Sequence, residues 1–266
     1  MKKIFTLALI LLTLMLTSCG SSTDNKTVKV GTLTQLNSKP EQATNISGGA
    51  INFYDDFNSM QMALANKQID KIQTYQSVAK YMTENNSDFA IDDAQRTVEL
   101  VDNFCCAMRA DDVELKNSFN AAINAMKSDG TLERLTEMFI RKISGTPTAV
   151  TMPHFDDAKT VRVGVTGDLP PLDLVLANGT PAGFNTAVLS EIGKRIHENI
   201  QLVRIDSAAR SVALTSGEVD VIFWVVVPEG SDRPKDFDVP EGVAVTDAYY
   251  QDIVVNVNLS NLGAGF

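Results

Sequence analysis

Apolar and polar positions along the chain predict strands alternating with helices. Val28-Lys29-Val30-Gly31-Thr32-Leu33-Thr34 and Val161-Arg162-Val163-Gly164-Val165-Thr166 each alternate apolar and polar residues and then reach glycine. That pattern predicts a strand ending in a turn. A second echo follows in the same order. Ala63-Leu64-Ala65-Asn66-Lys67-Gln68-Ile69-Asp70 and Ala213-Leu214-Thr215-Ser216-Gly217-Glu218-Val219-Asp220 each predict a helix end, a polar turn and a strand start. Val219 to Val227 is interrupted only by Asp220, so it predicts a strand buried on both faces. Helical spacing places Leu115, Phe119, Ile123 and Met126 on one face of a helix opened by Asp111 and Glu114, which resemble a capping box. Gly130 breaks that helix, and a second one turns Leu132, Leu135 and Phe139 inward. Asn185 is placed to cap a further helix carrying Leu189, Ile192 and Ile196. These stripes are core rather than cofactor contacts. Strands alternating with helices imply parallel sheets covered by helices, begun twice in one chain.

Composition narrows the function. With 266 residues and 44% apolar content, the chain can bury one core or two. Its net charge of −10 argues against nucleic acid, whose phosphates demand basic patches, and against docking on anionic lipid through surface charge. Acidity leaves the sign of a small pocket open. Cys105 and Cys106 are adjacent, a spacing ill suited to a mutual disulfide, and lie in an apolar stretch. They predict a buried strand with free thiols. A metal or redox site would need further ligands, and no third Cys or His lies near them in sequence. Ser144 to Pro153 combines prolines with small polar residues and suits an extended linker. His154 in that linker and His197 near a helix end are expected at the surface.

The N-terminus has a targeting pattern. Lys2 and Lys3 precede an apolar run, Ile4 to Leu16, that is too short to span a bilayer. Leu16-Thr17-Ser18-Cys19 then resembles the lipobox of bacterial lipoproteins, in which the cysteine becomes the first mature residue and carries lipid. An ordinary cleaved signal peptide is the alternative. Gly20-Ser21-Ser22 reads as a flexible tether.

The second half carries a family resemblance. Val161 to Asp173 (Val-Arg-Val-Gly-Val-Thr-Gly-Asp-Leu-Pro-Pro-Leu-Asp) resembles the opening of the family 3 bacterial extracellular solute-binding proteins. Gly183-Phe184-Asn185 after the turn at Asn178-Gly179 resembles that family's Gly-Phe-Asp element. Ser216-Gly217-Glu218-Val219-Asp220 resembles its Ser-Gly-x-Val-Asp, and Ala248-Tyr249-Tyr250 its Pro-Tyr-Tyr. The first half resembles the same family in a different order. Val28 to Thr34 is similar to the strand opening the family's second lobe, and Phe53 to Asp70 to a later stretch of that lobe. Phe104 to Ile140 is similar to its C-terminal strand and paired helices. The order therefore looks circularly permuted; two independent domains are the alternative.

The resemblance implies an α/β, two-lobed periplasmic-binding-protein type 2 fold with a ligand cleft between the lobes. The expected organisation is a signal peptide at 1–18 and a tether at 19–26. Residues 27–100 match the family's second lobe, and 101–145 return to pack on the other. A linker at 146–159 precedes 160–266, which match the first lobe. One of the family's two crossings between lobes is expected to be cut, leaving only the one near Leu100 to Phe104 covalent.

Site residues carry over only in part. The cleft loops of the family correspond here to Thr34 and Gln35, to Thr166, Asp168 and Leu169, and to Trp224 and its neighbour Val225. The arginine that clamps α-carboxylates in the family's amino-acid binders is matched by Arg233, offset by one residue. Val225 to Val227 replace the Gly and Thr that would assist it. Tyr75 stands where the amine-binding carboxylate is expected, and an aromatic platform expected near Ser207 is missing. These departures weaken an α-amino-acid assignment. Each residue also has a plainer role: Asp168 as a turn residue before Pro170, Trp224 as core filler, Arg233 as a surface charge.

The function implied is binding without catalysis or cofactor. Lobes close on a small polar solute such as an amino acid, and an ABC permease recognises the closed form. Cys19 would hold the protein to the outside of the cell membrane through lipid. The rivals are a sensory or accessory lipoprotein and, with less support, a fold-related enzyme. The chain has no His-Glu-x-x-His, no Gly-x-Ser-x-Gly and no Gly-rich phosphate loop.

Overall fold

The computed structural model describes residues 27–34, 36, 49–92, 100–229 and 241–260. In chain order the elements are β1 (Lys29–Leu33), β2 (Ala50–Tyr54), α1 (Phe57–Ala65), β3 (Lys71–Tyr75), α2 (Gln76–Asn85), β4 (Phe89–Ile91) and β5 (Val101–Arg109). Next come α3 (Val113–Ser128) and α4 (Thr131–Thr136), the latter running on into a π-helical turn at Glu137–Arg141. The second half holds β6 (Thr160–Val165), β7 (Asp168–Leu169), β8 (Asp173–Val175), β9 (Pro181–Ala182), α5 (Phe184–Ile196) and β10 (Asn199–Arg204). A 3₁₀ turn at Ser207–Ala209 leads into α6 (Arg210–Thr215). The chain then forms β11 (Val221–Pro228), β12 (Val243–Val245) and β13 (Tyr250–Leu259).

The main sheet runs β10-β6-β11-β5-β13-β3-β1-β2, with β12 on β5 and β4 on β13. Each outer part repeats one plan. Three parallel strands lie in the order second, first, third: β2-β1-β3 at one end and β10-β6-β11 at the other. Beside the third strand lies an antiparallel strand from elsewhere in the chain, β13 against β3 and β5 against β11. The two lobes meet where β5 and β13 pair with each other. We call them the N-terminal lobe (β1 to β4 with their helices) and the C-terminal lobe (β5 to β12).

The sequence echoes have a matching physical basis in both lobes. At the entry to the third strand, the Asp70 N–H donates to the Lys29 carbonyl at 2.8 Å, and the Lys29 N–H donates back to the Asp70 carboxylate at 2.9 Å. Asp220 and Arg162 repeat the exchange at 2.8 and 3.0 Å, and the Arg162 side chain adds a salt bridge. Gly31 and Gly164 lie inside β1 and β6, not at the turns the sequence pattern predicts. A Cβ on Gly31 would stand 2.6 Å from Ile69 Cδ1, and one on Gly164 would stand 3.0 Å from both Ile205 and Ile222. Each glycine thus makes room for apolar residues packed over the first strand.

Residues 101–140 pack on the C-terminal lobe. Phe119, Ile123 and Met126 of α3 are buried with Leu132, Leu135 and Phe139 against α5 and the sheet. Burying a side chain of this size favours folding by about 1.5–3 kcal/mol. Asp112, not Asp111, holds the N-cap position of α3 without a side-chain capping bond, and Gly130 starts α4 in the left-handed region at φ 77°. Gly183 holds the cap position of α5, so Asn185 sits inside the helix, where it accepts a hydrogen bond from the Tyr249 hydroxyl. Cys105 and Cys106 are buried free thiols on β5. Residues 146–159 are extended but strapped down. Ala149 bridges to Ala182, and the Thr151 carbonyl accepts from Ser190.

One expectation is corrected. β13 crosses from lobe to lobe as a single strand. Tyr250–Ile253 pair with β5, Val254–Val257 with β3, and Val257–Leu259 with β4. Both passages between the lobes are therefore covalent, and the last residues of the 160–266 segment belong to the N-terminal lobe's sheet. Extended chain loses little by continuing past Ile253, because β3 offers a fresh edge to pair with.

Candidate functional site

The site lies where the two lobes touch, around Arg210. This residue opens α6 and is fully buried. Its three nitrogens donate to backbone carbonyls. Nε reaches Ser207 at 3.4 Å, one terminal nitrogen reaches Trp224 at 2.7 Å, and the other reaches Thr34 of the opposite lobe at 3.1 Å. Its guanidinium also stands 5.4 Å from the centre of the Trp224 ring. Burial pulls the guanidinium down to about 10, while Asp173, Tyr75 and Asp168 act in the opposite direction. It remains a cation at neutral pH.

Two carboxylates share this space. Asp173 on β8 accepts the Thr166 N–H and hydroxyl, both at 3.0 Å, and burial raises its pKa. Asp168 on β7 reaches across to the N-terminal lobe. Its Oδ2 accepts the Phe57 N–H at 2.6 Å. Asp56 caps α1 by accepting the Ser59 N–H at 2.7 Å, so Asp168 takes another of the donors that a helix start leaves without an intrahelical partner. Burial pushes Asp168 up to about 6, with Asp173 and Asp56 adding to the rise and the Phe57 N–H and Arg204 opposing it. A third link joins the lobes where the Ser207 N–H donates to the Asp55 carbonyl at 3.2 Å.

Aromatic rings complete the wall. Trp224 is 1% exposed and drops out of the β11–β5 register, in which Phe223 pairs with Cys106 and Val225 with Cys105. Tyr75, at the end of β3, meets Trp224 edge-on at 5.8 Å and Phe104 at 4.7 Å. The Tyr75 hydroxyl donates to Asp102 on β5 at 3.2 Å. Asp102 is the register partner of Asp252 on β13, which accepts the Ser77 N–H at the start of α2.

The structure brings Thr34, Tyr75, Asp168 and Trp224 together around Arg210. Thr34 contributes its carbonyl, while its hydroxyl faces Tyr54 and Asp55. Thr166 stands one layer back, with its donors committed to Asp173. Leu169 is buried in the apolar core. Gln35 and Arg233 lie outside the described residues, as does Cys19. Sequence reasoning missed Arg210, Ser207 and Asp173 as site residues. The signal for Arg210 was present: it precedes buried Ala213 and Leu214 by three and four positions, which puts it on the inward face of the helix.

Three buried polar atoms here have no hydrogen-bond partner among the described residues: Asp168 Oδ1, Ser207 Oγ and Trp224 Nε1. Buried polar atoms are almost always satisfied in folded proteins, so such a group marks a place suited to a small polar ligand. The described residues contain no cluster of three or more His, Cys, Asp or Glu able to hold a metal ion. None of the described helices is long and apolar enough to cross a membrane. His154 and His197 are exposed, His154 facing Asp156 and His197 packing against Phe155.

Comparison with known proteins gives a match over one part of the chain. Residues 161–254 match the bacterial extracellular solute-binding proteins, family 3. No curated protein matches the sequence. Similar solved structures include the ligand-binding component of an ABC-type import system from Staphylococcus aureus with zinc bound, at 12% identity and TM-score 0.42. That comparison covers 88% of this chain and 66% of the other, so this chain spans just under two thirds of that protein's length. A nutrient-binding protein from Burkholderia cenocepacia bound to methionine is similar at 12% identity and TM-score 0.38, covering 87% and 84% of the two chains. Holo ArgBP from T. maritima is similar at 14% identity and TM-score 0.38, covering 88% and 82%. Over residues 161–254, about a third of its length, this two-lobed α/β chain is similar to the bacterial extracellular solute-binding proteins, family 3.

Proposed function

We propose that the protein is an extracytoplasmic solute-binding lipoprotein that closes its lobes on a small polar solute and presents the closed form to an ABC importer. The observation that carries this is the interlobe position of Asp168, Trp224 and Ser207, each buried with a polar atom lacking a partner among the described residues. Contacts made only when the lobes meet shift a hinge equilibrium toward closure. Phe57–Asp168, Thr34–Arg210 and Asp55–Ser207 are contacts of that kind. The solute would lie among Thr34, Tyr75, Asp168 and Trp224, with Gln35 and Arg233 as further candidates from the neighbouring segments. Thr166 and Leu169 would support the loop that carries Asp168. Lipid on Cys19 would anchor the chain outside the membrane, and the family's lobe order would be permuted.

A sensory or accessory role is the second reading. The Arg210–Thr34 bond favours it, because it joins the lobes through the protein's own groups. A thermal-shift screen of amino acids, amines, small peptides and organic acids, paired with small-angle scattering, tests the proposal. A stabilising solute that also reduces the radius of gyration is the expected result. A screen with no stabilising solute, or one whose hit is chemically converted, overturns it.

A further inference from the structure

The charges buried between the lobes restrict what solute fits there. Among the described residues the buried carboxylates are Asp102, Asp168, Asp173 and Asp252, and the buried cation is Arg210. Asp102 and Asp252 lie opposite each other on the two crossing strands, beneath Tyr75 and α2. Asp173 is held by Thr166, and its charge supports Arg210. The guanidinium is already directed at the carbonyls of Ser207, Trp224 and Thr34. Asp168 is different. Among the described residues only its Oδ2 has a partner, the Phe57 N–H, and it faces Asp173, Asp56 and Arg204 as well as Arg210. A buried carboxylate with one bare oxygen costs several kcal/mol unless a proton or a cation compensates it.

The other two unpartnered atoms point the same way. Trp224 Nε1 is a donor only, and the Ser207 hydroxyl is free to donate. A solute satisfying all three atoms therefore offers an N–H donor to Asp168 and a neutral acceptor to Trp224 and Ser207. A carboxylate on the solute would add negative charge to a region where, among the described residues, four buried aspartates face one buried arginine.

We propose that the interlobe site takes a small primary amine cation that also carries a hydroxyl or amide acceptor and has no carboxylate, with its ammonium against Asp168. This rests on the solute-binding proposal above and names the class of solute. It departs from an amino-acid ligand, for which Arg210 would have to release its carbonyl partners to meet a carboxylate.

The test is isothermal titration calorimetry of the purified protein at pH 7.5 with ethanolamine, glycinamide, glycine, arginine and acetate. Asp168→Asn and Ser207→Ala serve as variants. Asn keeps an acceptor for Phe57, and Ser207 Oγ has no partner to lose among the described residues, so both variants are expected to fold, as checked by circular-dichroism melting. The expected result is binding of ethanolamine or glycinamide, weakened at least tenfold by D168N and several-fold by S207A. Tighter binding of glycine, arginine or acetate overturns the amine assignment and leaves the solute-binding proposal standing. Amine binding that D168N leaves unchanged overturns the assignment to Asp168. If none of the five probes binds, the amine class is overturned. The solute-binding proposal itself falls only if the wider screen is also blank.

Discussion

Met60 and Arg210 occupy corresponding places in the two lobes. Each precedes the echoed Ala-Leu pair of its helix by three residues, and each is fully buried. The N-terminal lobe puts a thioether there and closes its own apolar core. The C-terminal lobe puts a guanidinium there and sends it across to the Thr34 carbonyl. The same contrast holds three residues earlier, where buried Phe57 corresponds to buried Ser207. The lobes share strand order and their Asp70 and Asp220 clasps but divide the interlobe work. The C-terminal lobe supplies ionised and polar side chains. The N-terminal lobe supplies backbone groups, a helix start and the Tyr75 ring.

Converting one lobe to the other's chemistry is the strongest way to break that contrast. Arg210→Met installs the Met60 solution. Three carbonyls then lose a charged donor, and Asp173 loses its neighbouring cation. Removing one partner from a buried charged network costs about 3–5 kcal/mol. Urea unfolding is therefore expected to show a loss of about 3 kcal/mol or more. A loss under about 1 kcal/mol would mean the lobes do not depend on the guanidinium.

Asp168 gives the next largest effect, with a sign set by pH. Its pKa in the fold is raised from 3.8 to about 6, so the folded state holds this proton more tightly than the unfolded chain does. Stability from this group is greatest below about pH 4, falls as pH rises toward 6, and is level above that. The total fall is at most about 3 kcal/mol, at 1.36 kcal/mol for each pKa unit. Asp173 and Asp252 are also raised and add to the same slope. D168N is expected to flatten its share of the fall and to stabilise the solute-free protein at pH 7–8. Stability measured from pH 4 to 8 for both proteins checks this. A proton on Asp168 also competes with an ammonium, so amine affinity is expected to drop about tenfold per pH unit below about 6.

The glycines of β1 and β6 test how alike the lobe interiors are. Ala at position 31 would press on Ile69, Met60 and Tyr54, the nearest atom at 2.6 Å. At position 164 the nearest atoms are at 3.0 Å. Overpacking typically costs about 1–3 kcal/mol, and the first contact is with the mobile end of an isoleucine. Gly31→Ala is expected to cost about 1–2 kcal/mol and Gly164→Ala about 1 kcal/mol or less, read from thermal or urea unfolding. The reverse order would show that the C-terminal lobe is the more tightly packed one.

Much of this architecture was legible because it is carried by local pattern. The helical stripe from Leu115 to Met126, the break at Gly130 and the buried run from Val221 to Val226 depend on spacing alone. The echo at Asp70 and Asp220 was legible because it marks the same clasp twice. What escaped was decided by partners distant in sequence. β13 looks like one strand of the C-terminal lobe until β3 is seen to lie beside Val254. Asp168 is legible as a cleft-loop residue, but its bond to the Phe57 N–H, 111 residues away, is not. Arg210 sits in a polar-looking Ser-Ala-Ala-Arg-Ser stretch. Spacing within α6 puts it on the inward face, but its partners there, the Thr34 and Trp224 carbonyls, are not encoded by that spacing.

Trp224 offers the smallest and most selective effect. Its ring packs against Phe104 at 5.3 Å and Tyr75 at 5.8 Å, while its Nε1 has no partner among the described residues. Trp224→Phe keeps an aromatic ring between those neighbours and removes only the donor and some ring area. The lost packing destabilises, but deleting an unsatisfied buried N–H relieves a cost of about 1–3 kcal/mol. The two effects oppose each other, so solute-free stability is expected to move by less than about 1 kcal/mol. Solute binding has no such compensation. If Nε1 donates to the solute, its loss removes about 1 kcal/mol of binding, a weakening of roughly five- to tenfold. Calorimetric binding and unfolding measured on the same variant separate the two roles. A Trp that only fills the core predicts the opposite split, with stability lost and affinity kept. That split would move the site away from the C-terminal lobe's aromatic wall.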